Sequence, residues 1–286
     1  MTALASVVIP AHDEARVLTR TLAALLADDE DRLEVVVVAN GCRDDTAAVA
    51  RGYGHGVRVV EIAQASKIAA LNAGDRAAIA FPRVYLDADI ELPGAAAVAL
   101  AQRLELGDAL VASPTLRLDL DGSTPWVRAY YRIWQLSTFR QNGHIGSGVY
   151  AVSRDGRERW GHFPDVIGDD RFVQGRFAPH ERATLPDHAF VVRPPRTLGA
   201  LVRRGARIAA GNRQLRAIGL AGQVPSNANS ARKLLRRVTP HPSLWLPFAV
   251  YAGVQWRTGR LAARKLAASS ATARAMLWDR DETSRA

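Results

Sequence analysis

Cysteine is nearly missing from this chain: Cys42 is the one example among 286 residues. A single thiol excludes an intrachain disulfide framework and cysteine-rich zinc sites, and it fits a reducing cytosol. The opening residues MTALASVVIP have no basic segment ahead of a long apolar core, so no signal peptide is expected. No run of 18 apolar residues occurs. The nearest approach, 238–256, is uncharged but interrupted by Pro240, Pro242 and Pro247, so no transmembrane helix is expected. Glycine-rich phosphate loops are also missing. No G-x-G-x-x-G follows either of the first two strand candidates, and the P-loop pattern is absent, which argues against a dinucleotide-binding site or a P-loop NTPase.

Acidic residues are missing from one part of the chain. The formal balance of +10 divides unevenly, because 25 of the 28 acidic side chains lie in residues 1–190. Residues 191–286 hold 18 basic and 3 acidic side chains, and none of 188–278 is acidic. A basic third of this kind points to an anionic partner: nucleic acid, a membrane surface or a phosphate-bearing substrate. At 48% hydrophobic and 23% charged the chain is otherwise an ordinary globular sequence.

What is present in the first 112 residues is an alternation of two periods. Residues 6–10, 33–39, 57–62, 84–86 and 109–112 are short apolar, β-rich runs. Residues 15–27, 44–51, 67–80 and 95–106 have helical spacing. Strands apolar on both faces and separated by helices predict an α/β fold with a parallel sheet covered on both sides, and ligands bind at the carboxyl ends of such strands. The middle is less regular. Residues 125–140 predict an aromatic amphipathic helix, for which core packing is the default reading of Trp126, Tyr130, Tyr131 and Trp134. Residues 143–154 read as a glycine-rich turn entering a strand, and 169–177 as a short helix. Basic helices are expected over 198–215, 231–238 and about 244–268.

The strand ends carry the candidate chemistry. The first ends in Pro10-Ala11-His12-Asp13-Glu14, where proline stops the strand and the acids open a helix. The second ends in Asn40-Gly41-Cys42, a sharp-turn sequence, with Asp44 or Asp45 to cap the next helix. The fourth ends in Asp87-Ala88-Asp89. Carboxylates at i and i+2 leave a strand on one face, and such a pair suits Mg²⁺ or Mn²⁺ with phosphate and water completing the shell. The alternative is a capped turn and a solvated strand end. Asp169 and Asp170 form a second pair, either helix caps or a general base. Cys42 has no evident partner, the histidines show no metal-ligand spacing, and His144 and His162 read as ordinary surface or core residues.

In order, the segments VVIPAHDE, VVVANGCRDDT, SKIAALNAG, YLDAD, GSGVYAVSR and GDD resemble glycosyltransferase family 2, over residues 6 to about 215. The resemblance implies a GT-A, Rossmann-like, mostly parallel sheet flanked by helices and an inverting transfer of sugar from a nucleotide-diphospho-sugar. It implies a catalytic domain over 1–215, divided near 112 into nucleotide-sugar and acceptor halves, with a basic helical extension over 216–286. It also implies roles. Pro10, Ala11 and Glu14 line the nucleotide pocket, and Asn40 stands where the family usually has an aspartate that meets the base. Lys67 lies near the nucleotide. Asp87 and Asp89, with Ala88 between them, form the D-x-D, and Asp89 faces Mg²⁺ or Mn²⁺. Gly146, Ser147 and Gly148 match the turn beside the acceptor, Asp169 replaces the glutamate of the acidic pair, and Asp170 is the base. Arg204 and Arg207 stand at the later diphosphate-binding segment, whose tryptophan is missing here. Ser66 replaces the glycine before the lysine.

On this reading the partners are a nucleotide-diphospho-sugar donor and a saccharide or lipid-linked acceptor of the cell envelope, in the cytoplasm. Residues 244–256, followed by Arg257, Arg260, Arg264 and Lys265, add an anionic membrane surface as a candidate partner, against the alternative of a packed core helix. Nucleic acid is not expected, because the aromatics of the basic third cluster apart from its arginines. A sugar-nucleotide-binding pseudoenzyme and a nucleotidyltransferase are the competing readings on a similar sheet. No residue pattern specifies an oligomeric state.

Overall fold

The computed structural model describes residues 3–27, 32–137, 145–220 and 227–269. They form two compact units. The first comprises Met1–Arg117, Ile145–Asp165 and Asp169–Val192, and the second Leu118–His144, Val166–Gly168 and Arg193–Ala286. The basic helix after residue 197 belongs with the later helices because its apolar face is buried against them.

The first unit is built on a seven-stranded sheet in the order β3-β2-β1-β4-β6-β5-β7. Its strands are β1 (Ala5–Ala11), β2 (Leu33–Asn40), β3 (Val57–Ile62), β4 (Arg83–Leu86), β5 (Val111–Leu118), β6 (Val149–Val152) and β7 (Arg182–Val192). Strands β1 to β4 pair in parallel. Every residue of β1 is buried, as a central strand covered on both faces requires, whereas the edge strand β3 is buried at Val57 and exposed at Arg58 and Glu61. The order turns back between β1 and β4: the chain first runs outward to β3, then returns to the other side of β1. Such a reversal opens a crevice at the carboxyl ends of the strands.

Two features lie beyond what the mostly parallel expectation specified. Strand β6 lies antiparallel between β4 and β5, pairing Leu86 with Val149 and Ala112 with Ala151. Strand β7 was not anticipated, because Pro186, Asp187 and His188 interrupt its apolar pattern.

Helices α1 (Ala15–Leu26), α2 (Thr46–Arg51), α3 (Lys67–Ala77) and α4 (Gly94–Glu105) connect the first five strands. Helix α3 starts where the Ser66 hydroxyl accepts the Ala69 amide at 3.2 Å. It stops at Ala77, short of the expected residue 80, where Ala78 turns to extended backbone, and the Arg83 guanidinium donates to Asp75 O in the last turn and to Ala78 O and Ala80 O beyond it. Gly74 lets α3 lie close on the sheet, since a Cβ there would stand 2.4 Å from Val8 Cγ1 and 3.0 Å from Val38 Cγ2. The short helices α6 (Arg154–Arg157) and α7 (Asp169–Gln174) complete this unit.

The second unit is helical: α5 (Pro125–Trp134), α8 (Leu198–Ala217), α9 (Asn227–Val238) and α10 (Trp245–Ser269). Helix α10 packs on α5 and α8. Val127, Tyr130, Tyr131, Leu201 and Val254 form its core, with Tyr251 stacked on Tyr130 at 5.1 Å between ring centroids. The aromatic stripe of α5 is thus core, as its spacing implied, except that Trp126 is exposed. Residues 138–144, including His144 and the end of the expected 125–140 helix, lie outside the described residues.

Gly74→Ala offers a direct check of the α3–sheet packing. Helix propensity alone favours alanine by about 1 kcal/mol. The contact with Val8 reverses the sign, and chemical denaturation is expected to show a loss of about 1–3 kcal/mol.

Candidate active site

Three of the sequence-predicted segments meet at the carboxyl ends of β1, β2 and β4. Pro10 and Ala11 are the buried last residues of β1, and Glu14 is buried at the N-cap of α1, its amide donating to Thr46 Oγ1 at 2.7 Å. Asn40 ends β2 with no exposed surface. Its amide donates to Ala11 O at 2.7 Å, and its Oδ1 is buried without a hydrogen-bond partner. The Ala11 carbonyl explains an amide here: a carboxylate would set two acceptors against each other.

The β4 end joins the glycine turn through the sheet itself. Because β6 runs antiparallel to β4, the residues just before β6 lie beside those just after β4. The Asp87 amide donates to Gly148 O at 2.8 Å. Gly148 has φ +103°, and a Cβ on it would stand 2.7 Å from Ile90 Cγ1. Gly146 has φ +113°, and a Cβ there would stand 2.6 Å from Asp170 Oδ2. The Asp170 carboxylate occupies that space and accepts the Ser147 amide at 3.2 Å; Ser147 itself has φ 65°. Glycine is needed at both positions for conformation and for room.

Lys67 opens α3 and reaches two carboxylates. Its Nζ lies 2.7 Å from Asp87 Oδ1 and 2.8 Å from Asp169 Oδ1. Burial opposes the ammonium charge, yet Asp169 and Asp87 together hold its pKa above the ordinary value. The Asp87 carboxyl is pushed up to about 6 by burial; Lys67 works against this, while Asp169 and Asp89 add to it. Asp169 is buried, and its other oxygen accepts the Tyr150 hydroxyl at 3.3 Å. Burial, then Asp169, raises the Tyr150 phenol well above its usual value, so it remains a donor. Asp89 is exposed, and Ala88 between the two acids is buried with its carbonyl accepting the Thr21 hydroxyl at 2.7 Å.

Lys67 joins Asp87 and Asp169, and Asp89 adds its carboxylate beside Asp87, so the cluster gathers hard oxygen donors. That donor chemistry fits Mg²⁺ or Mn²⁺. The sequence pointed to Asp87, Asp89, Lys67, the glycine turn and both acids of the second pair, and all of them lie in the first unit. It did not show that Lys67 bridges two of these acids, or that Tyr150 supports Asp169. Tyr150 stands two residues after Gly148 in a strand, which was the available signal. Arg204 and Arg207 are half-buried on α8 in the second unit. His162 is exposed.

Lys67→Met leaves Asp87 and Asp169 facing each other without their cation. Breaking a fully buried pair costs about 3–5 kcal/mol. Lys67 and Asp87 keep partial contact with water, so urea denaturation is expected to show about 1–3 kcal/mol.

Comparisons with known proteins bear on the family and the fold. The model of glycosyl transferase family 2 matches residues 6–157, over half of the chain. No curated protein is similar enough in sequence to count as a relative. Among solved structures, the mannosyltransferase PcManGT from Pyrobaculum calidifontis, in complex with GDP-Man and Mn²⁺, has a TM-score of 0.63 at 21% identity, covering 96% of this chain and 82% of that one. Residues 1–349 of S. aureus TarS, in complex with UDP-GlcNAc, give 0.55 at 13% identity, covering 92% and 83%. Glucosyl-3-phosphoglycerate synthase from M. tuberculosis, with Mn²⁺, UDP-Glc and phosphoglyceric acid, gives 0.54 at 20% identity, covering 77% and 81%. The sheet order, the strand-end carboxylates and the family match lead to one assignment: the chain belongs to glycosyl transferase family 2, as a glycosyltransferase with the GT-A fold.

Proposed function

We propose that this glycosyltransferase moves a sugar from a nucleotide-diphospho-sugar to an acceptor hydroxyl with inversion at the anomeric carbon. The observation that carries the reading is the cluster of Lys67, Asp87 and Asp169 at the strand ends, with Asp170 set against the Gly146–Ser147 turn. Asp89, exposed beside that cluster, is the residue to hold Mg²⁺ or Mn²⁺. Such an ion supplies positive charge to the diphosphate leaving group. Asp170 takes the proton of the attacking hydroxyl, and the Ser147 amide holds that carboxylate in place. Lys67 holds the Asp87 and Asp169 side chains in place from opposite ends of the contact. Pro10, Ala11, Glu14 and Asn40 line the nucleotide end, Gly146, Ser147, Gly148 and Asp169 the acceptor end, and the family resemblance assigns Arg204 and Arg207 to the diphosphate. A cell-envelope saccharide or lipid-linked saccharide is the proposed acceptor class.

The similar structures hold GDP-Man, UDP-GlcNAc and UDP-Glc in one fold, so the fold alone does not select the base. A thermal-shift panel of nucleotide diphosphates and their sugars, with Mn²⁺, makes that selection. One base series is expected to raise Tm, with the shift lost on chelation and in Asp89→Asn. A Tm indifferent to every nucleotide overturns the donor assignment. With the donor in hand, Asp170→Asn is expected to keep the donor-induced shift and to lose at least about 10²-fold in transfer rate.

A second reading concerns place. No helix among the described residues is long and apolar enough to cross a membrane. Trp245, Leu246 and Trp256 are 58%, 65% and 60% exposed on a helix without a single acid, which favours contact with an anionic lipid surface at a peripheral, cytoplasmic location. Flotation with vesicles rich in anionic lipid, but not with neutral vesicles, is the expected result. Equal recovery in the unbound fraction with both overturns it.

A further inference from the structure

A second group of ligating side chains stands at the ends of β1 and β2, apart from the D-x-D. One imidazole nitrogen of His12, one carboxylate oxygen of Asp13 and the Cys42 sulfur lie within 4.8 Å of one another. All three residues are half-buried. The supporting backbone is closely fixed. Gly41 has φ +58°, and a Cβ on it would stand 2.8 Å from Ala65 Cβ, so the turn that presents Cys42 admits little variation. The Asp13 amide donates to Cys42 Sγ at 3.4 Å, and the Arg43 amide donates to Asp13 Oδ1.

The backbone also fixes the imidazole. Its Nδ1 lies 2.6 Å from Asn40 O. A carbonyl oxygen accepts and cannot donate, so Nδ1 carries the proton of the neutral ring and Nε2 keeps the lone pair. Metal-binding histidines commonly give one ring proton to a carbonyl in this manner. The donor set of nitrogen, oxygen and sulfur is borderline soft. It suits Zn²⁺ and its analogue Co²⁺, whereas the oxygen-only Asp87 and Asp89 suit Mg²⁺ or Mn²⁺.

We propose that His12, Asp13 and Cys42 form a site for a Zn²⁺-class cation, with three protein ligands and a fourth position for water. On binding, the Cys42 thiol releases its proton to solvent, and the imidazole binds in its neutral form. Ligand atoms around a tetrahedral Zn²⁺ stand about 3.4–3.7 Å apart at normal bond lengths. The three groups therefore close by roughly an ångström, which links the loop after β1 to the loop after β2. The proposal does not depend on the donor, the acceptor or the base assigned above.

Co²⁺ titration of the full chain, after removal of metals by chelation, tests it. Thiolate-to-cobalt charge transfer absorbs in the near ultraviolet. Cys42 is the one cysteine in the chain, so the band reports that residue alone. A saturable band at one Co²⁺ per chain, displaced by Zn²⁺, is expected. Cys42→Ser, a change of one atom, is expected to abolish it while circular dichroism stays unchanged. His12→Ala and Asp13→Ala are each expected to weaken Co²⁺ at least about tenfold. The Asp87→Asn/Asp89→Asn double variant is expected to retain the band. Absence of the band in the unmodified chain overturns the proposal. So does a band of equal affinity in both His12→Ala and Asp13→Ala, or one lost in the double variant.

Discussion

A single ammonium group between two carboxylates organises the first unit. Lys67 Nζ sits within 2.8 Å of Asp87 and Asp169, the first at the end of β4 and the second at the start of α7. Without that cation, two acids more than eighty residues apart in sequence would repel each other. The remaining groups are placed around it. Tyr150 steadies Asp169 from β6, the Asp87 amide fixes Gly148, and Gly146 leaves room for Asp170. Because Lys67 is also the first residue of α3, its position is set by the Ser66 cap and by the seating of Gly74 on β1 and β2. Helix packing, strand order and site electrostatics are thereby one problem.

The division of charge has a comparable logic. Three acids of the first unit, Asp87, Asp89 and Asp169, gather at the strand ends. The helices after residue 197 carry arginine and no acid in their own sequences, and apolar and aromatic contacts such as Tyr130 on Tyr251 hold them together. A surface of that sign draws anions.

How much of this could be read beforehand follows from the range of each interaction. Asp87 and Asp89 were visible because a strand end and an i, i+2 spacing are local. The core role of Tyr130 and Tyr131 was visible because helical period is local. The antiparallel placement of β6 was not, since it depends on pairing between residues 86 and 149. The same holds for the Lys67–Asp169 contact, which spans 102 positions, and for β7, where Pro186 and its polar neighbours hide a strand that the sheet stabilises by pairing. At Asn40 the residue type was noted, but its reason was not: the amide proton goes to the Ala11 carbonyl. At His12, Asp13 and Cys42 the sequence held no spacing signal, because the ligating atoms come from two loops that only the sheet brings together.

The register between β4 and β6 has a bearing on how such an enzyme diversifies. The pairing of Leu86 with Val149, and the hydrogen bond from Asp87 to Gly148, set the separation of the D-x-D from the glycine turn. Neither depends on the length of chain that intervenes. Segments inserted or deleted between α4 and β6 can therefore change without shifting the carboxylates against the turn. The sheet acts as a fixed jig, and the intervening chain becomes an exchangeable cassette in which new recognition can arise while the reaction centre keeps its dimensions.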